Sequence, residues 1–199
     1  MTTSADPNDY LSPCDVIDAG HPTIVERASR LAADDPIETT RRCFKFVRDN
    51  VQHSFDHQRN PVTCRASDVL RERTGYCYAK SHLLAALLRA NGIPAGLCYQ
   101  RLAIDNQGIS FCLHGLNAIY LPVHGWYRVD PRGNRDGIDA QFTPPLEQLA
   151  FECANHGEID VPGIFVKPMH SVTHCLRTNQ DWAEVASALP DVPSGYAAR

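Results

Sequence analysis

An α+β fold, helices first and an antiparallel sheet after them, is what the periodicity of this chain predicts. Apolar residues recur at helical spacing as far as Leu88; after Gly92-Ile93-Pro94 the pattern switches to extended segments separated by turns. Composition agrees, since 43% of the 199 residues are hydrophobic and 21% charged, which is enough for a core at ordinary globular charge density.

Residues 1–20 are polar, carry Pro7 and Pro13, and read as an irregular or docked arm. From Pro22 to about Ala33, the positions of Ile24, Val25, Ala28, Leu31 and Ala32 mark a first helix. Asp34-Asp35-Pro36 caps a second, with Pro36 at the first helical position, where a missing N–H is harmless. Its apolar residues are Ile37, Cys43, Phe44, Phe46 and Val47. Residues 51–68, rich in His, Asn, Pro and Ser, read as a loop, and Ser67 to Arg71 as one short helical turn. The clearest helix follows, with Leu83, Leu84, Leu87 and Leu88 at helical spacing and Asn91-Gly92 and Pro94 as its stop. Thr74 or Gly75 is the expected N-cap, which puts Cys77 in the first turn.

Gly96 to Ile104 then reads as a strand ending in a turn at Asp105-Asn106-Gln107-Gly108. Ile109 to Leu121 is a second strand, and Pro122-Val123-His124-Gly125 turns the chain into a third, Trp126 to Asp130, stopped by Pro131. Past Gly137 the reading is a short strand at Phe142, a helical turn over Pro145–Phe151 and a loop with a strand end over Glu158–Val166. A C-terminal helix is expected from about Met169, interrupted near Thr178-Asn179. No repeat or linker divides the chain, so one domain is expected over 1–199, with its core at about 35–135, an arm at 1–20 and an extension at 138–199.

A net charge of -4 supplies no basic field for nucleic acid and no polybasic patch for a membrane surface. No apolar run approaches the roughly eighteen residues of a membrane helix. The first nine residues have neither a basic region nor an apolar stretch, so no secretory signal is expected. The eight cysteines are therefore expected reduced, in a cytoplasm, and they contain no C-x-x-C pair of the zinc-ribbon or thioredoxin kind.

Chemistry concentrates at Arg73-Thr74-Gly75-Tyr76-Cys77-Tyr78. In a first helical turn, unpaired N–H groups and the positive end of the dipole favour a thiolate at Cys77. Leu84 and Leu88 follow at near-whole turns, which places the sulfur on the buried face. A cysteine on an apolar face is, taken alone, usually a small core residue. Two partners distinguish this one. His114 lies on the second strand and Asp130 on the third, and a turn centred near 122–123 sets them opposite or diagonal to each other. A carboxylate so placed holds the imidazole in one tautomer and stabilises its cation. His114 alone reads equally well as a core histidine, and Asp130 alone as a strand-ending turn residue. The order helix-start Cys, strand His, next-strand Asp is far more specific than its parts.

Gly75-Tyr76-Cys77-Tyr78-Ala79, then His114 with Asn117-Ala118-Ile119-Tyr120-Leu121, then Gly125-Trp126-Tyr127-Arg128-Val129-Asp130-Pro131 resemble the transglutaminase-like family of the papain-like cysteine-enzyme superfamily. The resemblance spans about residues 35–135. It departs where the family often has His-Ala-Trp, since His114-Gly115-Leu116 stands here. What it implies is a papain-like core with a nucleophile-bearing helix on an antiparallel sheet and Cys77, His114 and Asp130 as a catalytic triad. It further implies acyl transfer from a peptide, protein or small-molecule amide or thioester, through a thioester, with no cofactor or metal. Water as acceptor would make a peptidase or amidase, and an amine would make a transferase.

The Cys77 N–H is one expected oxyanion donor; Gln52, His53 and Tyr78 are candidates for a second. His53, Asp56 and His57 are candidates for the cleft rim, His82 for a surface or packing role, and Lys80 and Ser81 for hydrogen bonding or the helix surface. Trp126 is expected to pack near Asp130 and shield it. Two rival readings remain open here. One is an interaction module that keeps the fold without catalysis; the other is a metal site using Cys112-x-His114 on one strand face, weakened by the lack of a second close ligand pair.

Overall fold

A computed structural model describes residues 6–105, 108–193 and 196. Two helices, α1 (Pro22–Leu31) and α2 (Pro36–Asn50), open the chain after a docked 3-10 turn at Pro7–Leu11. Each starts with a proline, and the Asp35 carboxylate caps α2 by accepting from Ile37 N at 3.0 Å. A two-residue strand β1 (Gln52–His53) leads to α3 (Ala66–Glu72), β2 (Thr74–Gly75) and α4 (Cys77–Ala90). There follow β3 (Ala95–Ala103), β4 (Phe111–Leu121), β5 (Gly125–Val129), β6 (Gln141–Thr143), β7 (Leu146–Gln148) and β8 (Ile159–Phe165), then α5 (His170–Thr178) and α6 (Trp182–Ser187).

The main sheet is antiparallel throughout, in the order β5-β4-β3-β8. The helix–sheet order and the three-stranded meander agree with the sequence reading, and several details differ. Thr74 and Gly75 are not the cap of α4: they pair in parallel with Gln52 and His53, and Tyr76 is the N-cap. Thus the stretch read as a loop contains a strand. The predicted turn at 67–71 is a longer helix, ended by Arg73 with φ 55°. The helical turn expected at 145–151 is instead a hairpin, with β7 against β6, and the segment read as a loop at 158–166 is a full edge strand beside β3. Pro162, Gly163 and a register shift in the β3–β8 pairing break the alternation that would have marked it as a strand. The 105–108 turn lies partly outside the described residues.

Helix α4 is the centre of the molecule. Every residue from Cys77 to Arg89 is buried, between α1, α2 and α3 on one side and β3 and β4 on the other. Of the alternatives expected for these residues, the surface role falls for Lys80, Ser81 and His82, because α4 has no solvent face, while packing holds for His82 and hydrogen bonding for Lys80. The charged and imidazole side chains of α4 are held by backbone carbonyls instead. The Lys80 ammonium donates to the carbonyls of Arg48, at 3.3 Å, and Val51. His82 Nδ1 donates to the Cys64 carbonyl at 2.9 Å. Arg89 donates to the carbonyls of Ala95 and Val166, 2.8 Å from each through Nη2. Burial drops the Lys80 pKa to about 7 and that of His82 to about 4.

Close approach of α4 to β4 depends on Gly115. A Cβ there would sit 2.9 Å from Tyr78 Cδ1 and 3.1 Å from Tyr78 Cα, the second of these a backbone atom at the helix start. Gly115→Val is expected to lower unfolding stability in urea by about 1–3 kcal/mol through overpacking. It should also slow alkylation of Cys77 by displacing the helix start. An unchanged denaturation midpoint would show that the contact yields instead.

Candidate active site

Cys77 is the first residue of α4, where its N–H has no carbonyl to bond within the helix. His114 lies on β4, and Asp130 one residue beyond β5. The β4–β5 ladder pairs Leu121 with Gly125 and Asn117 with Val129, so Asp130 is diagonal, not opposite, to His114. Because β5 stops there, the edge of β4 from Phe111 to Leu116 is open, and two of its N–H groups face the gap. That of Gly115 points to Cys77 Sγ at 3.5 Å, and that of Leu113 donates to the Pro190 carbonyl at 2.7 Å. The start of α4 comes in at this open edge, which is how a helix residue and a strand histidine meet.

Asp130 is fully buried and accepts three hydrogen bonds: His114 Nε2 at 2.6 Å, Arg132 N at 3.0 Å and Ala150 N at 3.2 Å. With Nε2 committed to the carboxylate, Nδ1 is the nitrogen left for Cys77. The structure therefore brings all three predicted residues together. Burial would raise the Asp130 carboxyl, but the His114 charge and the hydrogen bonds hold it below the usual carboxylate range. Burial acts against the His114 cation too, yet Asp130 and Cys77 outweigh it and raise its pKa to about 10. At Cys77, burial favours the neutral thiol; the neighbouring His114 and, less strongly, His53 reverse this and bring it down to about 6. Between those two values the pair rests as thiolate and imidazolium. The other buried thiols behave oppositely, with burial pushing Cys43 and Cys98 up to about 12.

Phe151 closes over the pair with its ring 5.0 Å from that of His114, edge to face. This is the shielding role expected of Trp126, which packs on Tyr10 and Tyr120 instead. By strand alternation Trp126 joins a small cluster with Cys98, Leu116 and Ala118, away from α4. Phe151 lies in the stretch misread as helical, and nothing local in the sequence points it at His114.

A cavity of about 560 Å³ opens on Cys77 and His114 and is mostly walled by apolar side chains, among them Phe55, Leu102, Leu113, Phe151 and Leu189. His53 joins it, as expected of a rim residue. Asp56 sits behind His53 in a bidentate pair with Arg132, at 2.7 and 3.0 Å. Burial works to raise the Asp56 carboxyl, but His53 and Arg132 hold it far below the ordinary range. His57 does not line the cavity. Cys112 does, and burial raises its thiol to about 12; His114, its partner in the metal reading, spends Nε2 on Asp130. Among the described residues no group of three or more His, Cys, Asp or Glu side chains is placed to hold a metal ion.

The pKa values set a pH profile. Alkylation of Cys77 should rise through pH 6 and stay level until His114 loses its proton near pH 10. In His114→Ala the main counter-charge is gone and burial dominates, so the thiol pKa moves up past its ordinary value. The rate at pH 7 should then fall by about 100-fold or more, the drop in thiolate fraction for a shift of two units or more. Peptide-mapped iodoacetamide kinetics would check this, and equal profiles in the two proteins would refute the ion pair.

Residues 25–131 match the family model of the transglutaminase-like superfamily, more than half of the chain. No curated protein matches it in sequence. Among solved structures, the chain is similar to a presumed cysteine protease from Cytophaga hutchinsonii, at 22% identity and a TM-score of 0.50. That match covers 65% of this chain and 43% of the other. It is similar as well to the periplasmic domain of TgpA from Pseudomonas aeruginosa, at 23% identity and a TM-score of 0.48, over 64% of this chain and 48% of that one. The chain thus spans less than half the length of either structure, and at this identity the likeness is one of fold alone.

Proposed function

The chain belongs to the transglutaminase-like superfamily, and on that premise we propose that it is a cysteine-dependent acyl-transfer enzyme using Cys77, His114 and Asp130. The observation that carries this reading is a buried thiol of lowered pKa beside an imidazole whose far nitrogen is tied to a buried carboxylate at 2.6 Å.

In the proposed cycle the Cys77 thiolate attacks the carbonyl carbon of an amide or thioester. The C=O electron pair moves to oxygen, then returns as the leaving group departs with the proton from His114 Nδ1. The product is a thioester on Cys77. His114, neutral again, takes a proton from water or an amine as that acceptor attacks, and the thiolate is regenerated. Asp130 keeps the ring oriented and stabilises its cation, so no step needs a cofactor. All eight cysteines are unpaired, which fits work in a reducing compartment. The apolar cavity favours an acyl group with an apolar or aromatic side chain next to the reacting carbonyl.

Incubation with a panel of peptide amides and acyl thioesters, followed by intact-mass analysis, tests this directly. The expected result is an acyl adduct on Cys77 that hydroxylamine removes and that Cys77→Ser abolishes. Asp130→Asn should keep the fold and lower kcat by about 10²–10⁴-fold, because the amide no longer balances the imidazolium and can hold the ring in the wrong tautomer. Full turnover by Cys77→Ser would rule out the mechanism.

A further inference from the structure

The tetrahedral intermediate of that cycle carries a negative oxygen, and one N–H at a helix start is a weak cradle for it. Three side chains are candidates for the second donor, and the structure separates them. Gln52 is exposed. The Tyr78 hydroxyl is already spent on the Leu113 carbonyl. His53 is 7% exposed, lines the cavity beside Cys77 and His114, and stands close enough to the Cys77 sulfur to lower its pKa. A donor that faces the nucleophilic sulfur across a cleft is placed to meet the oxygen on the carbon that the sulfur attacks.

The ring is also firmly placed. The β1–β2 ladder sets His53 beside Gly75, two residues before the nucleophile, and Ser54 N donates to the Gly75 carbonyl at 3.1 Å. The buried Lys80 ammonium holds the Val51 carbonyl at the head of β1. The Tyr76 ring packs edge-on against His53, with centroids 5.5 Å apart. On the remaining side Nδ1 faces Asp56 Oδ2 at 3.5 Å, and Arg132 fixes that carboxylate in turn. Nε2 is thus the nitrogen left for the cavity. The Asp56 carboxylate behind the ring strengthens Nε2–H as a donor toward the cavity.

We propose that His53 is a catalytic residue whose Nε2–H, with the Cys77 N–H, binds the oxyanion formed when the Cys77 sulfur adds to the carbonyl carbon. This rests on the acyl-transfer reading. As the S–C bond forms, the C=O electron pair moves to an oxygen held between the two donors. As the intermediate collapses, the pair returns to the C=O bond and the leaving group departs with the His114 proton. The pair His53–Asp56 is then a second imidazole–carboxylate unit flanking the sulfur, with a task distinct from that of His114–Asp130: one stabilises charge on oxygen, the other moves protons.

Two probes of the same sulfur test it. Iodoacetamide alkylates by displacement at a saturated carbon and forms no oxyanion; p-nitrophenyl acetate acylates through a tetrahedral one. Rates are compared in their pH-independent range, which removes any change in thiol pKa, with peptide mapping to Cys77. In His53→Ala, acylation should fall by about 10²–10³-fold while alkylation stays within about threefold of wild type. The intact alkylation rate also shows that the site has folded. His53→Gln, which keeps an N–H donor, should recover at least tenfold of the lost acylation. Equal loss of both rates would overturn the proposal by making His53 a support for the thiolate, and unchanged acylation would overturn it by making the ring structural. If wild-type Cys77 is alkylated but never acylated, acyl transfer itself fails and the oxyanion site with it, a pattern distinct from either.

Discussion

Everything at the site depends on three buried charges that are tolerable only together. Isolated, an ionised carboxylate, imidazole or thiol would lose its hydration and turn neutral, and burial acts in that direction on all three groups. Together they offset one another. Asp130 stabilises the His114 cation, that cation stabilises the Cys77 anion, and backbone N–H groups of Arg132 and Ala150 take up the remaining carboxylate capacity. Removing one partner of such a set leaves an uncompensated buried charge, which is why losses of about 3–5 kcal/mol follow when buried pairs are broken. The same set has a chemical consequence: the sulfur has a pKa of about 6 although it is buried.

That set has to be assembled from a helix and two strands, and the burden falls on α4. A helix enclosed on all sides cannot leave its long polar side chains in water, so these meet backbone. Lys80 ties the helix to the end of α2 and the start of β1, His82 to the loop before α3, and Arg89 to β3 and the strand end after β8. Asn117 on β4 donates to the Ser81 carbonyl at 3.0 Å and locks helix to sheet two residues beyond Gly115. These contacts use charge and hydrogen bonding where a more ordinary helix would use an apolar stripe. They fix both the height of Cys77 over β4 and, through Val51, the position of His53.

The part of this arrangement visible in the sequence is the part encoded locally. A two-strand hairpin with a short turn converts sixteen residues of separation into a spatial neighbour, so the His114–Asp130 relation could be read from spacing alone. Cys77 at a helix start could be read from leucine periodicity and the glycine before it. What could not be read depends on segments distant in sequence. The β1–β2 ladder joins residues 52–53 to 74–75 over two pairs, too short for any periodicity, so Thr74 and Gly75 looked like capping residues. The polar letters of α4 left a solvent face open because their partners are carbonyls of other segments, from Ser12 to Val166. Phe151 displaced Trp126 as the cover of the pair because the tryptophan, although on the His114 face of the sheet, pairs with Tyr120, six residues along β4 from His114.

The cavity shows how reaction and selectivity divide along the chain. Cys77, His114, Asp130 and His53 all lie within residues 25–131, the span shared with the superfamily. Phe151, Ala186 and Leu189, which also line the cavity, lie outside it. The extension does more than add surface. The Tyr76 hydroxyl donates to the Trp182 carbonyl at 2.5 Å, Trp182 packs on Phe55, and the Pro190 carbonyl occupies the Leu113 N–H on the open edge of β4. Arg101 then anchors the segment through Asp191, at 2.8 Å. An extended acyl donor running along that edge would meet Pro190 already paired there, which confines the approach to the side of Phe151 and His53. The four residues of the proposed machinery thus belong to the superfamily core. On the proposed reading, the direction from which a substrate would reach them is set by lining residues past 131, outside the span shared with the superfamily.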